Sequence, residues 1–540
     1  MENKKIKDPI YGYISIPIEY MKSIIDTSMF QRLRRVIQTS YSPLYASALH
    51  NRFAHSLGVF YLGNIVANQL RNVIIHDNIL SKDLSNKYAR IYKIACLLHD
   101  VGHAPFSHTG EIFYKNDKFE VKDLHERLCL LVNSNIFQDD VAKRGETNSA
   151  APHEIMSAII GIKEFGSIIG DDESKELFAR CITGYVYNNH SVENDIKNCF
   201  INMLNSKVID VDRLDYLIRD AYISGFATIN IDYMRLINAL TITKNNNQYQ
   251  IAFYKDAVSL IENVVYAHDA ERKWIQNHPI VLYEAYLLKS ILEHLNKNLN
   301  SDSHKLFSEE SLSKKGHTLN GHKISLMCDD DIIYLAKNVF PSTFSDEFFE
   351  RNKRRHPIWK SEAEYSAYIG GLSNKGNLKD SFVTCMNSFK VSRVSDYQIP
   401  MIINDNLVKQ FKDELKKVER NTDQFKDIKK RLKVCDYLKR YSKKHDFQFD
   451  FIIISTSMFI SNFSKEHLGK TLITFEKDTT PKELKEVCNL LKSSPESEDE
   501  SKDLYYLFYR RNEENKKGKG KINDVSTFCR ELFFATNYQR

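Results

Sequence analysis

Apolar residues recur at helical spacing through much of the first 300 residues. Between Ser56 and Ile74 they follow the repeat of three to four residues that marks one face of an amphipathic helix. A second helix is predicted at about residues 89–100, where a continuous apolar centre indicates burial. The same repeat returns at residues 208–223, 256–277 and 280–296. Runs rich in β-branched residues are rare before residue 380, so the pattern predicts a mainly α core.

The pattern changes in the last third of the chain. Runs of β-branched and aromatic residues predict strands at 449–456 and 470–475. Residues 480–491 predict a helix with Pro481 in its first turn. We therefore predict a core domain at residues 1–375 and a smaller C-terminal α+β region at residues 376–540, whose role the sequence does not indicate.

Three segments of this C-terminal region have a biased composition. Residues 412–444 predict a charged helix, while the acidic segment 493–503 and the Lys/Gly-rich segment 512–521 predict solvated loops. Between Lys416 and Lys444 there are twelve Lys/Arg and four Asp/Glu. Because acidic residues interrupt the basic ones and aromatics are few, a solvated helix face is favoured over a nucleic-acid surface, which stays the alternative.

Composition places the chain among ordinary globular proteins. Of 540 residues, 42% are apolar and 27% are charged, and the net charge is +6, a mild excess that does not demand a polyanionic partner. No apolar run approaches the ~20 residues of a membrane span, so we expect no membrane partner. The nine cysteines are scattered without a CxxC pair, and the N-terminus has no apolar signal region. These features predict a protein of the reducing cytoplasm.

Histidine is concentrated in one segment. Eight of the 18 histidines lie between residues 50 and 153. His99 and Asp100 follow the predicted buried helix, and they form a metal-ligand hypothesis together with the upstream His55 and the downstream Asp212. Two imidazoles and two carboxylates suit a divalent ion, which could be Mn, Mg, Fe, Co, Ni or Zn. A lone helical histidine is usually packed or solvated, so the hypothesis depends on the whole set.

Several short motifs occur in one order along the chain. They are Asp8-Pro9-Ile10-Tyr11-Gly12, Phe30-Gln31-Arg32-Leu33-Arg34, and the segments 50–58, 99–108 and 210–216. In this order they resemble the HD-domain phosphohydrolases, and most closely the deoxynucleoside triphosphate triphosphohydrolase branch. The resemblance covers about residues 5–375. It implies a mainly α fold with an HD-domain helical core.

The resemblance also implies a reaction and its main residues. Members of this branch hydrolyse deoxynucleoside triphosphates to a deoxynucleoside and inorganic triphosphate, with water attacking the α-phosphorus. The four metal ligands carried over are those already named. Arg52 and Arg213 match residues that contact the phosphates, His108 matches a candidate proton donor to the departing 5′ oxygen, and His103 lines the same pocket.

Further matches concern the sugar and the surroundings of the scissile bond. Tyr216 and Asp220 match residues that contact the deoxyribose, and Gln38 matches one that binds the 3′ hydroxyl. Glu111 matches an acidic residue that pairs with a second histidine. Both His125 and His153 fit that histidine, and we prefer His153 because apolar residues follow it at helical spacing.

The sequence departs from the family at one segment. His268 and Gln276 stand where the human enzyme with a SAM domain has Arg and Tyr, although Arg272 or Lys273 could substitute. Base preference therefore does not follow from the resemblance.

Regulation is implied only in outline. Asp26, Gln31 and Arg34 match residues that recognise a guanine activator in some members, although helix salt bridges explain them equally well. A homo-oligomer, dimer or higher, is expected. Two other functions remain open: an HD-type phosphodiesterase or phosphomonoesterase acting on another nucleotide, and a non-catalytic nucleotide sensor or nucleic-acid-binding regulator.

Overall fold

The structure is a computed structural model of the 540-residue chain. It describes residues 2–111, 114, 121–144, 149–226, 230–299, 306–319, 321–369, 377–394, 397–420, 422–456, 463–476, 480–488, 504–511 and 524–537. Helices dominate, and the strands form small sheets. The expectation of a mainly α protein with a C-terminal α+β region is confirmed.

Contacts divide the chain into two compact units. Unit 1 comprises Met1–Lys273, Leu295–Leu335 and Ser461–Ser497, and unit 2 comprises Trp274–His294, Ala336–Ile460 and Glu498–Arg540. These limits differ from the single boundary near residue 375, which stays a prediction. The units interleave along the chain because residues 472–474 pair with the strand that ends at Tyr254 and so return to unit 1.

Two long helices form the centre of unit 1. Arg52–His76 begins after Asn51, whose side chain accepts a hydrogen bond from the Ala54 N–H, and Lys82–Leu98 begins after Ser81, which caps it in the same way. Both contain the apolar repeats predicted from the sequence. They pack against each other, and most of their apolar side chains are buried.

Unit 1 contains other helices besides this pair. Those of unit 1 are Ile18–Tyr20, Ser28–Arg32, His108–Glu111, Val121–Val132, Asn135–Arg144, Pro152–Ile169, Asp172–Thr183, Val192–Leu204, Val211–Ser224, Tyr233–Asn238, Val258–Glu271, Glu309–Leu312, Asp329–Tyr334, Lys465–Gly469 and Leu484–Val487. Met21–Ile25 is a π-helix, and Leu33–Arg35 and Lys255–Ala257 are 3₁₀ turns. The predicted helices at 208–223 and 256–277 correspond to Val211–Ser224 and Val258–Glu271.

Unit 1 also contains three small sheets. Asn3–Asp8 and Gly12–Pro17 form an antiparallel hairpin, called the N-terminal hairpin below, and His317–Leu319 pairs with His322–Ile324. The third sheet has the order Lys482–Glu483, Leu472–Thr474, Gln248–Tyr254 and Leu240–Asn245. The periodicity missed the first hairpin because most side chains of its first strand are polar and exposed.

Unit 2 is built on a four-stranded antiparallel sheet. Its strands, in spatial order, are Ile402–Ile403, Phe447–Ser455, Tyr505–Arg511 and His356–Pro357. Lys390–Val394 and Tyr397–Pro400 form a separate hairpin. The helices are Thr343–Phe349, Glu362–Tyr368, Asn377–Asn387, Asp405–Lys417, Asp423–His445 and Val525–Asn537, together with most of Pro279–Asn298. Arg351–Lys353 is a 3₁₀ turn, and Arg272–Gln276 and Leu335–Val339 are π-helical stretches at the limits of the units.

Several C-terminal predictions are corrected. The basic segment forms two helices rather than one, because Val418 is extended and Thr422 caps a new helix by accepting a hydrogen bond from the Phe425 N–H. The predicted helix at 480–491 is a two-residue strand followed by the single turn Leu484–Val487. The predicted loops at 493–503 and 512–521 lie outside the described residues. The strand prediction at 449–456 is confirmed by Phe447–Ser455.

Two general features concern the environment of the chain. Within the described residues, none of the helices combines the length and apolar character needed to cross a membrane. All nine cysteines, each within the part that the structure describes, are free thiols, and most of them are buried.

Candidate metal centre and active site

His99 and Asp100 lie where the Lys82–Leu98 helix ends. His99 is the C-cap residue directly after this helix, and its Nδ1–H donates to the Cys96 carbonyl at 2.9 Å. In the neutral ring this bond leaves the lone pair on Nε2. Asp100 is 1% exposed and accepts a hydrogen bond from Arg52 Nη1 at 2.8 Å. The helix end thus presents a ring nitrogen and a carboxylate side by side.

His55 and Asp212 come from two other helix starts. His55 lies in the first turn of Arg52–His76, and Asp212 lies in the first turn of Val211–Ser224, after the capping residue Asp210. His55 Nδ1–H donates to Asp215 at 2.7 Å, so its Nε2 also carries a lone pair in the neutral ring. Three helix termini therefore position the four residues that the sequence predicts as metal ligands.

These four side chains converge, and we call them the metal-type cluster. His55 Nε2 lies 3.3 Å from His99 Nε2, 2.9 Å from Asp212 Oδ1 and 3.6 Å from Asp100 Oδ2. His99 Nε2 lies 3.5 Å from Asp100 and 3.6 Å from Asp212. One ligand atom each from His55, His99 and Asp100 falls within 4.8 Å of the others.

The electrostatics of this cluster favour a positive charge at its centre. Burial lowers the pKa of His55, but its hydrogen bonds with Asp212 and Asp215 outweigh burial and raise the pKa to about 9. Burial alone would raise the pKa of Asp100, yet Arg52 and the two imidazoles lower it to about 2. The cluster therefore binds a proton tightly at the point where its ring nitrogens meet.

The donor set fits a divalent metal ion. Two imidazole lone pairs that face each other at 3.3 Å repel unless a cation lies between them, and two carboxylates supply the compensating charge. Mixed nitrogen and oxygen ligands suit Fe, Mn, Zn, Ni, Co or Mg. The residues that would hold the ion are His55, His99, Asp100 and Asp212.

The loop after Asp100 is held in a strained conformation. Phe106 and Ser107 have φ values of 58° and 53°, which cost about 1–3 kcal/mol each for residues other than glycine. Asp329 connects the loop to a distant segment, because it accepts hydrogen bonds from the N–H group of Phe106 in the loop at 2.7 Å and from that of Ile37 at 2.8 Å. Burial raises the pKa of Asp329 to about 7. Strain with such support is typical of functional loops.

A second group, the histidine–glutamate cluster, combines His103 of this loop with His108 and Glu111 of the short helix that follows it and His153 of the Pro152–Ile169 helix. Glu111 Oε1 lies 2.5 Å from His108 Nδ1, 2.8 Å from His153 Nδ1 and 3.8 Å from His103 Nδ1. The rings of His103 and His153 stack with centroids 4.1 Å apart. The alternative His125 is placed elsewhere, with Nε2 2.5 Å from the Tyr185 hydroxyl.

The protonation of this second cluster follows from its one carboxylate. Burial alone would raise the pKa of Glu111, but His153 and His108 hold it well below its usual range. Burial lowers the pKa of His153, and the Glu111 charge overrides this and raises the pKa to about 9. Burial, Arg52 and the neighbouring imidazoles lower the pKa of His103. At neutral pH the cluster thus holds an ionised Glu111, a protonated His153 and a neutral His103.

Buried polar atoms are present on the residues predicted to contact the phosphates and the 3′ hydroxyl. Arg52 Nε donates to Ser107 Oγ at 2.8 Å, while its Nη2 has no hydrogen-bond partner among the described residues. Gln38 is 6% exposed, and its Oε1 is likewise without a partner in the described part of the chain. Arg213 instead donates to Asp210 at 3.1 Å and to the Val208 carbonyl at 2.5 Å.

The other predicted residues are dispersed. Asp220 lies 2.6 Å from His50 Nε2, and Tyr216 is half-buried on the same helix. Of the possible activator residues, Arg34 Nε donates to Gln31 Oε1 at 2.8 Å, and Asp26 is exposed. In the departing segment, His268 is buried and its ring lies 4.5 Å from that of Phe463.

A small cleft opens beside the metal-type cluster, and its lining includes His99, Asp212, His153 and Glu154. Sequence reasoning missed Glu154, although it directly follows His153. Glu154 accepts hydrogen bonds from the Ala151 N–H and the Asn205 amide, and burial raises its pKa to about 7. Sequence reasoning also missed the contact between Asp215 and His55, which lie 160 residues apart in the chain.

Fold and cluster together describe a mainly helical protein whose His/Asp cluster could hold a divalent metal ion. Comparison with known proteins agrees, since residues 52–155 match the family model described as HD domain. The resemblance to HD-domain proteins is thereby confirmed, and the chain carries an HD domain.

Related proteins extend the comparison. The chain is 30% identical over 269 residues to the uncharacterized protein MG461 of Mycoplasma genitalium, covering 49% of this chain and 53% of that one. It is also 30% identical over 286 residues to human deoxynucleoside triphosphate triphosphohydrolase SAMHD1, covering 51% of this chain and 42% of the human protein. The chain thus spans about half the length of these relatives.

A solved structure is similar over nearly the whole chain. The crystal structure of a hypothetical protein from Aquifex aeolicus aligns with a TM-score of 0.51 and 18% identity, covering 98% of this chain and all of the other. At this identity the likeness shows the fold alone.

Proposed function

We propose that this protein is a divalent-metal-dependent phosphohydrolase that cleaves deoxynucleoside triphosphates to a deoxynucleoside and inorganic triphosphate. The observation that carries the proposal is the convergence of His55, His99, Asp100 and Asp212 beside a second cluster suited to proton transfer. The Nε2 atoms of His55 and His99 lie 3.3 Å apart, and each of them lies within 3.6 Å of both Asp100 and Asp212. The similarity to proteins described as deoxynucleoside triphosphate triphosphohydrolases supports the substrate class.

The proposed reaction needs positive charge near the phosphates, which a metal ion and two arginines would supply. A divalent ion held by the metal-type cluster would supply Lewis-acid stabilisation of the charge that develops at the α-phosphorus. Arg52 keeps one nitrogen on Asp100 and another on Ser107, so its guanidinium is fixed while Nη2 can donate to a phosphate oxygen. Arg213 adds a second positive charge. Such fixed charges contribute most when water is excluded.

Proton transfer falls to the histidine–glutamate cluster. The His108 side chain is 63% exposed, and its Nδ1 is held by Glu111, which leaves Nε2 to donate a proton to the departing 5′ oxygen. Glu111 also holds the protonated His153. The neutral His103 packs against the His153 ring and limits its movement.

Sugar recognition and regulation complete the proposal. Tyr216 and Asp220 would contact the deoxyribose, and Gln38 would bind the 3′ hydroxyl through its free Oε1. Asp26, Gln31 and Arg34 would form an activator site for a guanine nucleotide, and the active form would be a homo-oligomer. The identity of the metal and the preferred base stay open within this proposal.

One experiment tests the reaction and its alternatives. Purified protein is incubated with each dNTP and NTP in the presence of Mn, Mg, Co or Fe, with and without GTP, and the products are separated. Inorganic triphosphate and a deoxynucleoside are expected, and His99→Ala serves as the inactive control. Orthophosphate or a diester product would instead identify a phosphomonoesterase or phosphodiesterase. Tight nucleotide binding without turnover under any metal would indicate a sensor.

A further inference from the structure

A buried carboxylate stands behind the metal-type cluster. Asp215 is fully buried, and its Oδ2 accepts a hydrogen bond from His55 Nδ1–H at 2.7 Å. The opposite nitrogen of the same ring, Nε2, lies 2.9 Å from Asp212 and 3.3 Å from His99. His55 is therefore held between a carboxylate that is not in the cluster and the cluster itself.

Two further side chains hold Asp215. Arg219 donates to both carboxylate oxygens, from Nε at 2.9 Å and from Nη2 at 3.0 Å, and the Tyr11 hydroxyl donates to Oδ1 at 2.8 Å. Bidentate pairing fixes the plane of a carboxylate as well as its position. With these donors in place, the Asp215 carboxylate can accept a further hydrogen bond only from the direction of His55.

The N-terminal hairpin supplies the far end of this arrangement. Asp8 Oδ2 accepts from Arg219 Nη1 at 3.0 Å, while its Oδ1 accepts from the N–H groups of Ile10 at 2.8 Å and Tyr11 at 3.0 Å. The Tyr11 ring stacks on Tyr61 with centroids 4.7 Å apart, which holds its hydroxyl in place. A continuous chain of hydrogen bonds therefore runs from the turn of the hairpin to His55.

On the helix that carries His55, Gly58 leaves the space that this series of hydrogen-bonded side chains occupies. A Cβ atom at Gly58 would lie 1.8 Å from Asp215 Oδ1 and 2.4 Å from Arg219 Nη2. Only glycine allows the carboxylate–guanidinium pair to approach the helix backbone this closely. The pair and the helix are thus fitted to each other directly beside the metal ligand.

Stability alone does not account for such an arrangement. Removing Asp8, Asp215 and Arg219 from water is costly, and well-packed apolar residues of similar volume often stabilise a core at least as well. Carboxylates that accept from a ligating histidine, by contrast, fix its ring orientation and tautomer and raise metal affinity. A carboxylate that orients His55 must lie directly beside its ring, and Asp215 lies there, fully buried.

We propose that Asp215, held by Arg219 and Tyr11, is a positioning residue that fixes the His55 ring with Nε2 toward the metal, so that the turn of the N-terminal hairpin contributes to metal affinity. This inference rests on the metal centre of the proposed function but not on its substrate. Asp215 contacts neither substrate nor metal in this role and acts only through His55.

The test measures metal binding by full-length protein that has been stripped of metal. Co²⁺ is titrated in, and its dissociation constant and visible absorption bands are recorded for the wild type, Asp215→Asn and Tyr11→Phe. The matched control is Asp140→Asn, since Asp140 is also buried and paired with an arginine, Arg180, at 2.9 Å. Circular dichroism and thermal unfolding report whether each variant folds.

We expect Asp215→Asn to weaken Co²⁺ binding about 10- to 100-fold and to alter the absorption bands. Tyr11→Phe keeps the ring stacking but loses the hydroxyl, and a weakening of about three- to tenfold is expected, while Asp140→Asn binds like the wild type. Wild-type affinity and spectrum in Asp215→Asn, or in Tyr11→Phe if the first variant does not fold, would overturn the inference.

The same experiment separates this inference from the proposed function. A wild-type protein that binds Co²⁺ and loses affinity on Asp215→Asn, yet hydrolyses no nucleotide, would refute the proposed reaction and leave the positioning role standing. Hydrolysis by the wild type, together with unchanged Co²⁺ binding in both variants, would refute the positioning role and leave the proposed reaction standing. A wild type that binds no divalent ion would refute both.

Discussion

In the metal-type cluster each imidazole has one nitrogen fixed on an acceptor, His55 on Asp215 and His99 on the Cys96 carbonyl, and the remaining nitrogens face each other at 3.3 Å. In the neighbouring histidine–glutamate cluster, His108 and His153 both lie within 2.8 Å of the single carboxylate of Glu111. The side-chain types are nearly the same in the two places. Their hydrogen-bond partners differ.

This difference separates two kinds of chemistry. Rings whose outer nitrogens are fixed present converging lone pairs, which is a site for a cation. Rings that share one carboxylate compete for its charge, so a proton can move among them as a substrate binds or leaves. We therefore expect substitutions in the first cluster to abolish metal binding and substitutions in the second to slow turnover with metal still bound.

The largest effect is expected when the first cluster loses a ligand. His99→Ala should lower the rate of dNTP hydrolysis by about 10³-fold or more, because a bound metal contributes several kcal/mol to transition-state stabilisation. Dialysis against a chelator should have the same effect on the wild type, and added Mn should reverse it. His125→Ala is the control, since His125 contacts Tyr185 rather than either cluster. Full activity of His99→Ala in stripped buffer would contradict the metal assignment.

A smaller loss is expected when the second cluster loses its charge. Glu111→Gln preserves the shape of the side chain but no longer holds a protonated His153, and kcat should fall about 10²-fold. The Co²⁺ dissociation constant, measured on the same preparation, should stay that of the wild type. If metal affinity falls together with kcat, the two clusters are one functional unit and the comparison fails.

The pKa of His153 gives a sharper test of the same pair. Ring ¹⁵N resonances, assigned with His153→Gln, should titrate with a midpoint of about 9 in the wild type. In Glu111→Gln the midpoint should fall, because burial still lowers the pKa while the strongest charge that raises it is gone and only Glu154 and Asp100 remain to oppose burial. The folded-state pKa is raised, so the pair stabilises the fold fully below pH 6.5 and this contribution disappears as the pH rises through about 9. An unchanged midpoint in Glu111→Gln would remove Glu111 as the cause.

Sequence reasoning reached different parts of the structure to different extents. The Arg52–His76 and Lys82–Leu98 helices follow from apolar periodicity and from the capping residues Asn51 and Ser81, all of which are local signals. The set of His55, His99, Asp100 and Asp212 came from motif order, and the structure brings the four together. Their roles stay predictions until metal binding is measured.

What sequence reasoning missed depends on long-range contacts. The spacing of four residues on one helix is typical of an ion pair between Asp215 and Arg219. Nothing in the apolar periodicity indicates a contact of Asp215 with a histidine 160 residues earlier. The N-terminal hairpin was missed because its polar, exposed first strand has no apolar alternation. The break in the basic helix, by contrast, has a local signal in the sequence, since Thr422 is a recognisable N-cap.

The smallest expected effect concerns His103, which belongs to the histidine–glutamate cluster and also lies close to Asp100 of the metal-type cluster. Its Nε2 is 3.3 Å from Asp100 and its Nδ1 is 3.8 Å from Glu111, but neither nitrogen has a hydrogen-bond partner among the described residues. Leucine has a similar volume and no polar atoms. His103→Leu should therefore raise the free energy of unfolding by about 1 kcal/mol, measured by urea denaturation of the metal-free protein. Unchanged Co²⁺ affinity together with a lower kcat would assign His103 to the second cluster, whereas weaker Co²⁺ binding would assign it to the first. A fall in stability would show that the stacking of His103 on His153, or hydrogen bonds that its nitrogens make in solution, outweigh the gain from removing two unpaired nitrogens.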